Sequence, residues 1–223
     1  MQVVRRLIER SPMAYCLVAA AKPGRNRNVV SRSSDIVIEG YPRSGNTFLV
    51  ALMAMCYPEV EVASHLHHEA HLARSLRLGI PAMVVVRDPV DAVASQLVYS
   101  QSMKVDAELA RWTRINSFAE GNQVDVELVS FDTATHSPRS FLATVAALLD
   151  LDPVERLPTQ DEVFSEVEAL GNRRFGNVPI SKVSRPDVGR REAKCLAVKA
   201  VNASDSRALS AASSLYRRLV ESD

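Results

Sequence analysis

Residues 40–47 read Gly-Tyr-Pro-Arg-Ser-Gly-Asn-Thr, set between a strand-like run, Asp35–Glu39, and a helix-like run, Phe48–Met55. Strand, glycine-flanked loop and helix in immediate succession leave few folds open. The loop must stand at the carboxyl end of a strand, where successive N–H groups and the positive end of the following helix converge on an anion. The spacing Gly40-x4-Gly45-x-Thr47 is that of a phosphate-binding loop, with one departure. Asn46 stands where such loops carry lysine, and a cation appears three residues earlier, at Arg43. The expectation is a site for a phosphate-bearing nucleotide in which an ordinary ATP or GTP arrangement is broken at its key position.

The rest of the chain is expected to alternate strand and helix. Val60–Ala63, the β-branched Ala82–Val86 and Val124–Phe131 are strand-like. Helical patterns fall at Asn46–Cys56, His68–Leu78, Pro89–Tyr99, Asp106–Glu120 and Ser140–Leu149. Pro89 suits a first helical turn, and Gly79 and Gly121 suit helix stops. Val84–Val86, apolar without alternation, suits a strand covered on both faces. This predicts an α/β fold: a phosphate-loop-like three-layer α/β/α arrangement with a central, mostly parallel sheet. After Leu151 the strand signal ends. Pro158–Leu170 and Arg191–Val220 are expected to form a helical C-terminal tail around an irregular stretch, Gly171–Arg190.

Length and composition narrow the class. The 223 residues suit one domain with a real core. We expect residues 1–34 to form an N-terminal helix and polar linker, and residues 35–223 a single α/β domain. A formal net charge of +1 supplies no overall field for nucleic acid or an acidic membrane, so anion binding must come from local placement. The cysteines, at 16, 56 and 195, show no metal or disulfide spacing and imply reduced thiols in a cytoplasmic protein. The apolar run Met13–Ala21 follows a basic stretch, as in a secretory signal, but it is far short of the roughly 20 residues that span a membrane. A helix packing on the domain is the expectation.

A second candidate anion site lies at the end of the strongest strand. Arg87-Asp88-Pro89-Val90-Asp91 leads into a helix that carries Ser95. Ligands of open α/β sheets collect at the carboxyl ends of strands, which places Arg87 and Ser95 at the same edge as the 40–47 loop. Arg87 can hold phosphate through a planar, permanently charged fork. Taken alone, it can equally pair with Asp88 or Asp91.

Together, these segments resemble the sulfotransferases that use 3′-phosphoadenylyl sulfate (PAPS). That family has a Y-P-K-S-G-T-T-W loop gripping the 5′-phosphosulfate; here it reads Tyr41-Pro-Arg-Ser-Gly-Asn-Thr-Phe48. Its later R-[DN]-x-x-D-x-x-x-S segment grips the 3′-phosphate and is matched by Arg87 and Ser95. Cytosolic members carry T-H-L-P, whose histidine is the catalytic base, 22 residues before that arginine. Ser64-His65-Leu66-His67 lies at the same distance from Arg87. Val129-Ser-Phe131-Asp132 is similar to the segment whose aromatic lines the nucleotide site. The resemblance covers roughly residues 35–150. The family's lysine two before the histidine is Ala63 here, and its C-terminal R-K-G-x-x-G-D-W segment is not recognisable. Arg173 and Arg174 are the nearest candidates for that clamp, and Arg185–Gly189 the next.

The resemblance implies sulfuryl transfer from PAPS, as co-substrate, to a hydroxyl on a small molecule or saccharide. His65 would be the general base, and Arg43 would stabilise the leaving oxygens. Ser44, Gly45, Asn46 and Thr47 would hold the 5′-phosphate, Arg87 and Ser95 the 3′-phosphate, and Phe48 and Phe131 would line the adenine side. Neither nucleic acid nor metal is implied. Phe48 also suits plain core packing, and His65 a structural role. His67, His68 and His71 suit a solvated helix start, with a metal at His67 and His71 the minor alternative. Two other functions stay open: a nucleotide kinase or hydrolase with an altered loop, and a non-catalytic nucleotide-binding homologue.

Overall fold

A computed structural model describes residues 12–21, 28–175, 188–204 and 207–221. Four strands form the centre: β1 (Ile36–Gly40), β2 (Val62–Ser64), β3 (Ala82–Val86) and β4 (Val126–Ser130). They lie in the order β2-β1-β3-β4, and every pairing is parallel. The chain winds from β1 outward to β2, then crosses back to β3 on the other side of β1. The order therefore reverses between β1 and β3, the point at which open α/β sheets place a ligand crevice at the carboxyl ends of their strands. The fold is α/β, with helices on both sheet faces.

The period of two along each strand builds both faces. Val37, Ala82, Val84, Val86 and Val126 pack to one side, against α3 (Glu69–Leu78), α4 (Pro89–Ser100), α5 (Val105–Glu120), α9 (Arg191–Asn202) and α10 (Arg207–Val220). Ile36, Ile38, Met83, Val85 and Val129 face the opposite layer of α2 (Asn46–Cys56), α6 (Phe131–His136), α7 (Pro138–Leu149) and α8 (Gln160–Phe175). All five residues of β3 are buried, as a strand covered on both faces requires. An N-terminal helix, α1 (Pro12–Ala20), packs against α3, where Cys16 is buried and its thiol points at the Ala70 carbonyl.

Local signals account for most element ends. Pro89 starts α4 behind an Asp88 side chain that accepts from the Asp91 N–H, and Gly79 ends α3 with φ 66°. Gly121 ends α5 in a right-handed conformation. Three expectations are corrected. β2 is shorter than Val60–Ala63, and β4 stops at Ser130 because the Ser130 side chain caps a new short helix at Phe131. The stretch 191–220 is two helices, α9 and α10, with residues 205 and 206 outside those described. No helix among the described residues is long and apolar enough to cross a membrane.

Candidate functional site

The loop after β1 is shaped by backbone geometry that few residues tolerate. Arg43 and Gly45 both adopt positive φ, 69° and 91°, which turns the chain sharply into α2. Gly40 is required by space instead: a Cβ there would lie 2.6 Å from the Val85 carbonyl oxygen of β3. Tyr41 is fully buried and donates its phenol to Glu108 of α5 at 2.7 Å, anchoring the start of the loop. Burial, then the Glu108 carboxylate, pushes that phenol's pKa well above its usual value. The N-terminus of α2 thus opens at the crevice, and the fully buried Ser44 hydroxyl makes no hydrogen bond there.

Positive charge gathers on the β3 side of this loop. Arg43 reaches α4, where its Nε lies 3.4 Å from Ser95 Oγ and its guanidinium 5.1 Å from the Tyr99 ring centre. Arg87 donates to the Arg43 carbonyl at 2.5 Å and lies 4.0 Å from the centre of the Phe131 ring, a cation–π contact. Phe131 in turn lies against Gly45, its ring carbons 3.3 Å from where a Cβ would stand. Trp112, wholly buried, donates its indole N–H to the Arg87 carbonyl at 3.0 Å and fixes the end of β3. Burial, and then the nearby positive charge of Arg190, lowers the Arg43 pKa to about 10. Arg43 therefore stays charged at neutral pH in a place crowded with cations.

Asp91 moderates that crowding. It pairs with Arg87 one helical turn earlier and with Lys194 of α9 at 2.5 Å. Burial works against its ionisation, yet Lys194 and Arg87 hold its carboxyl below the ordinary aspartate value. The pairing of Arg87 with Asp91, one of the two readings drawn from the sequence, is present. It coexists with the arrangement of Arg87, Arg43, Ser95 and Phe131 around one crevice.

Histidines occupy the β2 side. His65 Nε2 lies 3.1 Å from Thr47 Oγ1, so the segment after β2 touches the first turn of α2 directly. His67 Nδ1 lies 2.8 Å from the Gly40 carbonyl and 3.4 Å from Asn46 Nδ2. Asn46 is buried, and its amide faces back toward Gly40 and His67. A lysine at that position in an ordinary phosphate loop reaches the phosphates; this side chain turns toward the histidine segment instead.

Beneath both loops lies Glu39, the last side chain of β1 and wholly buried. Its carboxylate accepts from Leu66 N–H at 2.7 Å, His67 N–H at 3.1 Å and Gly40 N–H at 3.4 Å, and pairs with His71 Nδ1 at 2.7 Å. His71 Nε2 accepts the Val30 N–H at 2.8 Å, so the ring must carry its proton on Nδ1 and donate it to Glu39. Burial alone would raise the Glu39 pKa, but the hydrogen bond from His71, the neighbouring His67 and His71 rings and the Leu66 N–H bring it down. For His67, burial holds the imidazole below its usual range against the pull of Glu39.

These contacts overturn the expectation of a solvated helix start at His67, His68 and His71. His71 is wholly buried, and His68 is 5% exposed, capping α3 by accepting the Ala70 N–H while stacked on Tyr15. Side chains from α1 and the segment before β1 cover this end of α3. Among the described residues, no group of three or more His, Cys, Asp or Glu is arranged to hold a metal.

The crevice therefore brings together Arg43, Ser44, Gly45, Asn46, Thr47, His65, Arg87, Ser95 and Phe131. Phe48 is 6% exposed and meets Phe164 edge-on at 5.7 Å, within the core on the α2 side. Arg173 and Arg174 fall in the last turn of α8, and their side chains, like residues 185–187, lie outside those described. Glu39, Arg190 and Lys194 escaped the sequence reading. A charged residue closing an otherwise apolar strand was the signal for Glu39, and the basic Arg190-Arg191-Glu192-Ala193-Lys194 run was the signal for the other two.

No protein-family model matches the chain, and no curated protein matches it by sequence. Among solved structures, mouse sulfotransferase SULT7A1 complexed with PAP is similar in fold. It is 13% identical, with a TM-score of 0.50, and the match covers 92% of this chain and 96% of that one. The chain has the three-layer sulfotransferase fold.

Proposed function

We propose that this chain transfers a sulfuryl group from PAPS to a hydroxyl acceptor, a small molecule or saccharide. One observation carries the reading: the hydrogen bond between His65 and Thr47, which brings the candidate base to the first turn of the helix that would hold the donor's 5′-phosphate. The sulfotransferase fold, and the PAP bound to a structure that shares it, support the same donor.

The loop N–H groups and the Thr47 hydroxyl would bind the 5′-phosphate, freeing His65 Nε2 for the acceptor. The acceptor oxygen attacks sulfur, its proton passes to Nε2, and the bond from sulfur to the bridging phosphate oxygen breaks. The products are the sulfate ester and 3′-phosphoadenosine 5′-phosphate. Charge builds on the leaving phosphate, so fixed cations and dipoles supply most of the stabilisation. Arg43 supplies that charge, as a bulkier and less movable donor than lysine. Arg87, backed by Phe131 and flanked by Ser95, would take the 3′-phosphate. Phe131 also closes over Gly45, which fits a role beside the nucleotide.

Thermal unfolding with 3′-phosphoadenosine 5′-phosphate against Mg·ATP tests the reading. At 100 times its Kd the bisphosphate stabilises by about 2.7 kcal/mol, an easily measured rise in Tm. Stabilisation by ATP alone refutes the proposal in favour of a kinase or hydrolase. Bisphosphate binding without transfer to a broad hydroxyl panel establishes a non-catalytic homologue.

A further inference from the structure

The segment carrying His65 is bent in a way its residues resist. His65 and His67 both have positive φ, 68° and 52°, although neither is glycine. Such conformations persist only where surrounding contacts over-determine them. Beside the His65–Thr47 and His67–Gly40 contacts, one buried carboxylate holds the turn's backbone. Glu39 takes the consecutive N–H groups of Leu66 and His67 on its two oxygens, Oε1 and Oε2. A turn whose successive N–H groups converge is an anion-binding concavity, and this one holds an anion from its own chain.

The carboxylate is itself locked. His71 donates to Oε1 and is held from behind by the Val30 N–H, while the Gly40 N–H approaches Oε2. A buried negative charge directly under a loop built for anions opposes phosphate binding by simple Coulomb repulsion. Its place there calls for a compensating task, and the bent turn supplies one.

We propose that Glu39 is a positioning residue: its ionised carboxylate clamps the 65–67 turn and so holds the His65 imidazole against Thr47. The inference rests on the proposed role of His65 as base, and it adds a residue outside the motifs that led to that role. Glu39 touches neither Thr47 nor the His65 ring; it acts through the backbone between them. An amide cannot replace it, because one of its two heads would present N–H groups to the turn's own N–H groups.

The test compares the intact chain with Glu39→Gln and with Glu39→Asp, which keeps the charge but withdraws it by one methylene. Amide hydrogen exchange at Leu66 and His67 reads the clamp without any turnover. We expect exchange there to accelerate at least tenfold in Glu39→Gln, with β3 amides unchanged, and less in Glu39→Asp. Sulfate transfer from PAPS should fall by about 10²-fold in Glu39→Gln, approaching the loss of a general base. Binding of 3′-phosphoadenosine 5′-phosphate, held by Arg43 and Arg87, should weaken by no more than about threefold, since losing the Glu39 charge removes a repulsion. Unchanged exchange at 66 and 67, or transfer within threefold of wild type, overturns the proposal. If Glu39→Gln does not fold, Glu39→Asp decides by the same two readouts. Failure of the wild-type chain to bind the bisphosphate refutes the sulfotransferase reading instead, and amide exchange still decides the clamp.

Discussion

The two sides of the crevice are built on opposite electrostatic plans. On the β2 side, Glu39, His71 and Asn46 are sealed from solvent, and both Glu39 carboxylate oxygens and both His71 ring nitrogens have protein partners. On the β3 side, Arg87 and Asp91 form a pair with side chains 15% and 37% exposed, joined by Lys194. The buried side is fixed in one arrangement, because breaking it strands a charge in a low-dielectric interior. The β3 side can exchange one anion for another, because its Asp91 carboxylate is partly exposed and shared between Arg87 and Lys194. The proposed transfer would need both properties: a base held still and cations that accept a departing phosphate.

Four perturbations break or sharpen this contrast. The largest effect is expected from His65→Ala, which should lower sulfate transfer by about 10²–10⁴-fold while bisphosphate affinity, by calorimetry, stays unchanged. A variant that transfers normally places the base elsewhere. Next comes acid stability. The Glu39 carboxyl drops from 4.5 to about 2 on folding, so its stabilisation is complete above about pH 4.5 and is lost as pH falls through 2. His67, also lowered, makes protonation costly from its ordinary 6.5 downward, in the same direction. Urea midpoints between pH 7 and pH 3 should fall steeply in wild type and less steeply in Glu39→Gln.

The exposed side gives the two remaining tests. Arg87→Ala removes charge-assisted contacts worth about 1.5–3 kcal/mol each, so bisphosphate binding should weaken by about 10²-fold, with little change in acid stability. An unaltered Kd would show that the 3′-phosphate is held by other cations. Asp91→Asn has the smallest expected effect. Freeing Arg87 and Lys194 from a partly exposed pair should tighten bisphosphate binding by about two- to fivefold, more at low salt than at high salt. Weaker binding would mean that Asp91 orients Arg87 for the ligand.

Much of the scaffold was legible from local pattern. Ala82–Val86 and Asn46–Cys56 lie where the sequence places them, since their apolar runs are bounded by loop residues and their side chains suit the element. Arg87 and Ser95 were also legible, because a strand end followed by Pro at the first helical turn fixes where both stand. The histidines were not. His67, His68 and His71 look like a polar helix start when only neighbours in sequence are considered. Their actual partners, Glu39, Val30 and Tyr15, come from segments 28 to 53 positions away.

Residues 40–47 alone determined that a loop with phosphate-loop spacing stands at a strand end, with arginine at position 43 and no lysine at position 46. Local steric preference and hydrogen-bonding geometry act over a few residues, so the sequence carries them openly. Only the tertiary structure decided where Asn46 points in the lysine's place, which is back toward Gly40 and His67. It alone brought Lys194 to Asp91 and sank Glu39 beneath the His65 turn. Burial and charge pairing depend on which distant segments the sheet order makes neighbours, and no short stretch of sequence specifies that order.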